Sequence, residues 1–571
     1  MPGTWKPLDN QPTFQASTML LLTDGTVMCQ QSGGVNWYRL TPDAYGDYTK
    51  GTWSPLAPMI NTRLYYASAV LRDGRVIVGG GEYSNAGSET NKCEMYDPLP
   101  DTWGALAPPA GWTNMGDAAC ALLPDGRLLV GYYNGTKTAI YDLVTNSWSA
   151  GPNKGDSASE ETWTLLPDQT VLTVQCSNTP HAEKYLAAAN QWVAAGTLPV
   201  NLVETSSLEI GPAFLLPDGR AFCVGATNRT AIYTPPPIAN QAGTWATGPT
   251  FPNINGNTIG AKDAPGCLMP NGKVLFVGGP VDGQSGSYLP PTYFFEFDGS
   301  AMYRVPDPPN STGIPYQGRM MMLPTGQVLF AAETNAIYCY TPDGGPDNAW
   351  RPSITSAPSI IRGGNSYTLS GRQLNGLSQT VGYGDDSAAA TNYPLVRVHH
   401  LASGRITYCR TFDHSTMGVA TGTAVHSTNF HVPYGIPTGP SEICLVANGI
   451  SSACLYIDVH LRFEIDPNLY AIWAWLIGSL ADGPLWVWGP NGPVPVDPWG
   501  PKYAKAAQRA RAKMLKAMRE LQSLGEKLVR QRTKISGAVP PAVDLEATGA
   551  DEETDSEAGG KRHAKKRTRR R

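Results

Sequence analysis

Along the first 350 or so positions the apolar residues fall into short runs separated by polar turns, and the runs come in pairs. SAVLRDGRVIVGG, CALLPDGRLLVG and CLMPNGKVLFVGG each read as two strands joined by a tight turn, with Pro presetting φ and Gly or Asn accepting a positive φ. The turn recurs at Leu22-Thr23-Asp24-Gly25, Leu71-Arg72-Asp73-Gly74, Leu123-Pro124-Asp125-Gly126, Leu166-Pro167-Asp168-Gln169, Leu216-Pro217-Asp218-Gly219, Met269-Pro270-Asn271-Gly272 and Leu323-Pro324-Thr325-Gly326. The spacings are 49, 52, 43, 50, 53 and 54 residues.

Downstream of most turns comes an aromatic step (Tyr96-Asp97-Pro98, Tyr141-Asp142, Tyr233-Thr234-Pro235, Tyr340-Thr341-Pro342) and then a strand carrying Trp53, Trp103, Trp148, Trp192 or Trp245. Four strands per unit of about 50 residues predict an all-β, seven-bladed kelch-type propeller over residues 1–350. In the sixth unit Tyr303 stands where Trp is expected. The seventh lacks a clean Trp strand, whereas Gly3-Thr4-Trp5 stands unpaired ahead of the first turn. The N-terminal strand is therefore expected to complete the seventh blade and close the ring, removing its exposed edges.

After Arg351-Pro352 the turn repeat stops, and residues 351–460 show about seven short alternating strands, the pattern of an immunoglobulin-like (E-set) β-sandwich. Residues 461–500 form a Trp- and Pro-rich segment that reads as docking or linker sequence. Its uncharged 469–480 run is too short to span a bilayer. Residues 501–535 carry the apolar spacing of a basic amphipathic helix suited to self-association, and 536–571, acidic and then basic, should be disordered.

Composition agrees with a turn-rich β protein, with 61 Gly, 49 Pro and 16% charged residues. Charge is unevenly placed: residues 501–571 hold 19 Lys/Arg against 9 Asp/Glu, while the remainder is acidic. The basic end Lys561–Arg571 suits an anionic surface, nucleic acid or an acidic protein. The ten cysteines lack metal-ligand spacing and read as buried small hydrophobes rather than a disulfide framework. The first residues show no signal-peptide pattern, which makes a reducing, cytoplasmic location the default expectation, and no segment predicts a transmembrane helix.

Arg351-Pro352 and Ile354, Phe430-His431-Val432-Pro433, Pro437-Thr438-Gly439 and Leu445-Val446-Ala447-Asn448-Gly449-Ile450, in this order behind a propeller, resemble the galactose oxidase and glyoxal oxidase family of copper-radical oxidases over residues 1–460. The resemblance implies a copper ion held by two tyrosines and two histidines, with one tyrosine cross-linked to a cysteine. It places Tyr65 at the cross-linked tyrosine, Tyr83 at the aromatic residue stacked over it, and Tyr316 at the axial tyrosine.

Gln317 stands where the family has a histidine ligand. The cysteine expected near Phe14–Ala16 and the second histidine expected near Ala389–Asn392 are absent, and His399, His400 and His414 reach the site only by a shifted register. Copper(II) takes most of its affinity from imidazole. The expectation is therefore a vestigial pocket at Tyr65, Tyr83, Tyr316 and Gln317, no cofactor, and a non-catalytic scaffold that binds a protein or carbohydrate on the propeller loop face, tethered by its C-terminal extension. The alternative is a divergent copper oxidase of alcohols, aldehydes or sugars. Asp413-His414-Ser415 does not read as a catalytic triad, because adjacent strand residues alternate faces.

Overall fold

The computed structural model describes residues 2–460 except 159, 282–288, 310 and 384–388, together with the backbone of 485–489 and 492–496. The chain divides into two compact units, Met1–Glu464 and Ile465–Arg571. The first is all-β: seven sheets arranged as propeller blades, followed by a curled sheet. In the second, Leu485–Gly489 pairs antiparallel with Gly492–Val496. The 469–480 run, the expected 501–535 helix and the 536–571 tail lie outside the described residues.

Blade 3 shows the common plan: Cys120–Leu122, Leu128–Gly131, Thr138–Asp142 and Ser147–Ala150 run from the channel outward. The first three strands are almost wholly buried, because blades pack on both of their faces, whereas the fourth alternates at the rim. Each predicted turn joins the first strand to the second. In six of the seven, an Asp or Asn carboxamide or carboxylate oxygen accepts the amide two residues on, as Asp24 does from Thr26, so the turn is preset locally.

The aromatic signals form a zipper. In blades 2, 3 and 4 a third-strand tyrosine packs on the fourth-strand tryptophan, Tyr96 on Trp103, Tyr141 on Trp148 and Tyr185 on Trp192, at 5.2 to 5.4 Å. The same tyrosines donate to Asp101, Asn146 and Asn190, which hold the intervening turns with φ near 50°. Trp53, Trp103 and Trp245 then donate to carbonyls of Asn10, Ala57 and Ala195 on the preceding blade or the segment leading into the first one.

Ring closure follows the same rule. Thr4–Pro7 pairs antiparallel with Tyr338–Thr341 as the outer strand of blade 7. Trp5 packs on Tyr340 and Phe294 at 4.8 and 5.0 Å, and its indole donates to Pro306 of blade 6 at 2.7 Å. In blade 6 the outer strand Met302–Val305 leaves Tyr303 in solvent, and Arg304 covers the Tyr293 ring at 4.7 Å in place of a tryptophan.

Residues 353–460 form one continuous nine-stranded sheet that curls over its own core of Val396, Val398, Cys409, Phe430, Leu445 and Val459. Ile406–Phe412 joins what would be two separate layers: its first half pairs with Leu395–His400 and its last three residues pair with Val425–His431. The expectation that every cysteine is a buried thiol needs correction. Eight are, but Cys444 and Cys454 form a disulfide. It closes the hairpin bearing Asn448, and Asn448 accepts the amides of Leu377 and Ser378.

That anchoring matters because the segment after Ser378 enters the propeller channel. Gln379 accepts the Leu165 amide, Thr380 the Leu268 amide and Gly382 the Ala213 amide, while the Tyr393 hydroxyl donates to Leu21. The curled sheet thus plugs the inner strands of blades 1, 4, 5 and 6 from the side of the Pro-Asp-Gly turns. No helix among the described residues is long and apolar enough to cross a membrane.

Candidate functional site

Repeat geometry places equivalent positions of every blade at one end of the channel. Residues two to four places ahead of the inner strands, Tyr65, Asp117, Glu160, Glu209, Asp263 and Tyr316, lie at the end away from the turns. The second strands run antiparallel to the first, so the residues that follow them, Glu82, Tyr83, Tyr133 and Glu333, return to that same end. The result is a rim rich in carboxyl groups and phenols, with Lys262 and Arg319 among them.

Tyr65 is delivered by a loop pinned from beneath. Arg63, with no exposed surface, pairs with Glu94 and donates to the Gly80 and Lys92 carbonyls. Glu94 also accepts the amides of Ile60 and Asn61 at 2.6 and 3.1 Å. Leu64 and Glu82 exchange both backbone hydrogen bonds, joining this loop to the one that carries Tyr83. Their approach requires Gly81, at φ +106°, where a Cβ would come within 2.9 Å of the Arg63 side chain.

The structure brings Tyr65, Tyr83 and Tyr316 together. Tyr65 meets Tyr83 edge-on at 6.2 Å and 75°, and Tyr316 at 6.1 Å and 64°. Its hydroxyl donates to Glu333 at 3.2 Å, and the Arg319 guanidinium lies 5.2 Å from its ring centre. Burial pushes the Tyr65 phenol well above its usual range, and Arg319 opposes the shift. The Tyr83 phenol is raised chiefly by the negative charge of Glu82, and Tyr316 by burial and then Glu333.

Glu160 and Glu209 form a second focus that the sequence reading missed. Burial holds the Glu160 carboxyl well above the usual carboxylate range, reinforced by the charges of Glu209 and Asp263. Tyr133 donates to Glu160 at 3.3 Å, while Glu209 pairs with Lys262 at 3.1 Å and accepts from Ser207 at 3.0 Å. The signal that could have found them is positional: an acidic residue ahead of the inner strand in repeat after repeat.

The three histidines lie elsewhere in the fold. His399 faces Glu442 at 3.7 Å, and His400 bonds Ser403 and the Thr438 carbonyl. His414 is buried in the curled sheet, with Nδ1 on Thr428 at 2.9 Å and its ring parallel to Tyr393. Burial, helped by Arg72 and Arg410, lowers it to about 3. Gln317 closes a short 3-10 turn, its amide oxygen accepting from the Ile314 amide at 3.4 Å. Ala16 pairs through its backbone with Thr334 beside Glu333, and Phe14 stacks on Tyr38.

No family model and no curated protein matches the chain. Among solved structures it is similar to a novel fungal alcohol oxidase with catalytic diversity among the AA5 family, in complex with copper. The match has 15% identity and a TM-score of 0.47, and covers 80% of this chain and 100% of that one.

Proposed function

We propose that the rim around Tyr65, Tyr83 and Tyr316 is a ligand-binding site and that the chain acts as a scaffold for a protein or carbohydrate ligand. The observation that carries this is the contrast at Tyr83. Tyr83 is 68% exposed, yet it stands against Tyr65, which is bonded to Glu333, and shares the rim with the buried Glu160 and Glu209. An open aromatic face backed by fixed polar groups is the usual composition of a recognition site. The tether assigned to the C-terminal extension falls on residues outside those described.

The competing reading, a divergent copper oxidase, draws on the pairing of Tyr65 with Tyr316. The described residues do not fit copper. Gln317 offers an amide already engaged with Ile314, the Tyr65 hydroxyl is committed to Glu333, and a guanidinium occupies the ring face where a dication would add like charge. Among the described residues no group of three or more His, Cys, Asp or Glu is arranged to hold a metal.

Calorimetry of the full chain against an oligosaccharide and peptide panel, with Tyr83→Ala as control, tests the proposal. Binding that disappears in the variant is expected. Stoichiometric copper after expression with the metal, together with peroxide release from alcohols or aldehydes, would establish the competing reading instead.

A further inference from the structure

We infer that the chemical group the rim receives is an organic ammonium, either a free amine or the side chain of a lysine. This rests on the reading of the rim as a binding site and names its ligand class. The first observation is the tyrosine corner: two rings stand at 75° and 64° to a third, with centroids 6.2 and 6.1 Å away. Rings set nearly at right angles bring negative π faces and phenol oxygens to bear on one region, which attracts an alkylated cation.

One ring face of the corner is already taken, which leaves Tyr83 and Tyr316 to the ligand. Arg319 lies 5.2 Å from the Tyr65 centroid, and its charge acts directly on that phenol. Glu333 closes the third side by accepting the Tyr65 hydroxyl, and its negative charge reaches Tyr65, Tyr83 and Tyr316 alike. Glu82 and Asp117 add to the same field at Tyr83. Opposing them are Arg319, which covers the Tyr65 face, and Lys262, which is directed to Glu209 and Glu204. An anion meets repulsion here, and a neutral polyol gains nothing from the field. An ammonium gains from both rings and carboxylates, and Tyr83, open to solvent, provides the entrance.

The test is calorimetry on the full chain at fixed ionic strength, using cadaverine as a free amine, choline as a quaternary ammonium, a peptide with one central lysine, and galactose as the neutral control. Binding by the amines or the lysine peptide, weakened about tenfold or more by Tyr83→Leu and by Glu333→Gln but held within about twofold by Tyr83→Phe, is the expected result. Whether free amines or the peptide bind more tightly separates the two sources. Galactose binding with no response to ammonium probes overturns the ligand class and leaves the binding site standing. Amine binding that ignores all three substitutions places the ligand elsewhere and overturns the inference. Silence from every probe, galactose included, removes both the inference and the site.

Discussion

The outer edge of the propeller and its rim are built from the same repeat, yet they use it in opposite ways. At the edge blades 2, 3 and 4 do the same thing: a tyrosine packs on a tryptophan and a left-handed Asp or Asn receives the phenol. At the rim each blade does something different: Tyr65, Asp117, Glu160, Glu209, Asp263 and Tyr316 occupy equivalent places with different chemistry. Repetition gives the ring its stability, and variation at fixed positions gives it a site.

The sharpest way to break the edge is at its closure. Deleting residues 1–10 removes the outer strand of blade 7 together with Trp5, so the loss should exceed the roughly 3–5 kcal/mol typical of a buried Trp→Ala change. Urea unfolding should show a lowered midpoint or loss of a single cooperative transition. An unchanged midpoint would mean the ring does not depend on this strand. Arg63→Met comes next. It leaves Glu94 charged and buried beneath Tyr65, costing about 3–5 kcal/mol, and it should also weaken any ligand dependent on Tyr83.

The junction between propeller and curled sheet gives a pH test. His414 is lowered in the folded protein to about 3 from an ordinary value of 6.5, so the unfolded chain binds the proton first. Stability is therefore fully present above pH 6.5 and is lost as pH falls toward 3, by about 2–3 kcal/mol at pH 4.5. His414→Gln should flatten the melting temperature against pH over this window, and a variant with the wild-type slope would contradict the assignment. Replacing Cys444 and Cys454 with serine removes a cross-link spanning 10 residues and should cost about 2–3 kcal/mol by thermal unfolding. The smallest effect is Trp53→Phe. It removes the indole donor to Asn10 while keeping an aromatic ring, and should cost about 1 kcal/mol in urea.

Much of the fold was legible because a blade is a local object. Its turn, its Tyr-to-Trp interval and its strands lie within about 50 residues, so periodicity exposes them. The orphan Trp5 was legible for the same reason, as a missing repeat member. The curled sheet was legible as strands but not in its layering, because Ile406–Phe412 changes partners partway along, which alternation alone does not encode. The disulfide escaped because Cys444 and Cys454 share the apolar surroundings of the free thiols, and only the hairpin fold brings them together. Glu333 and Arg319 escaped because they carry no motif and gain meaning only when distant repeats meet around one axis, and Glu160 and Glu209 were marked only by their shared position ahead of an inner strand.

By itself the sequence determined the repeating hairpin, the number of blades and the closing strand, since each depends on neighbours in the chain. Tertiary structure alone decided that the curled sheet plugs the channel through Gln379, Thr380 and Gly382. It also decided that three tyrosines meet Glu333 and Arg319 at the opposite end, and that burial raises the Glu160 carboxyl above the usual carboxylate range. The physical reason is that charge state and ring geometry depend on burial and on groups hundreds of residues away, quantities that exist only once the circle has closed.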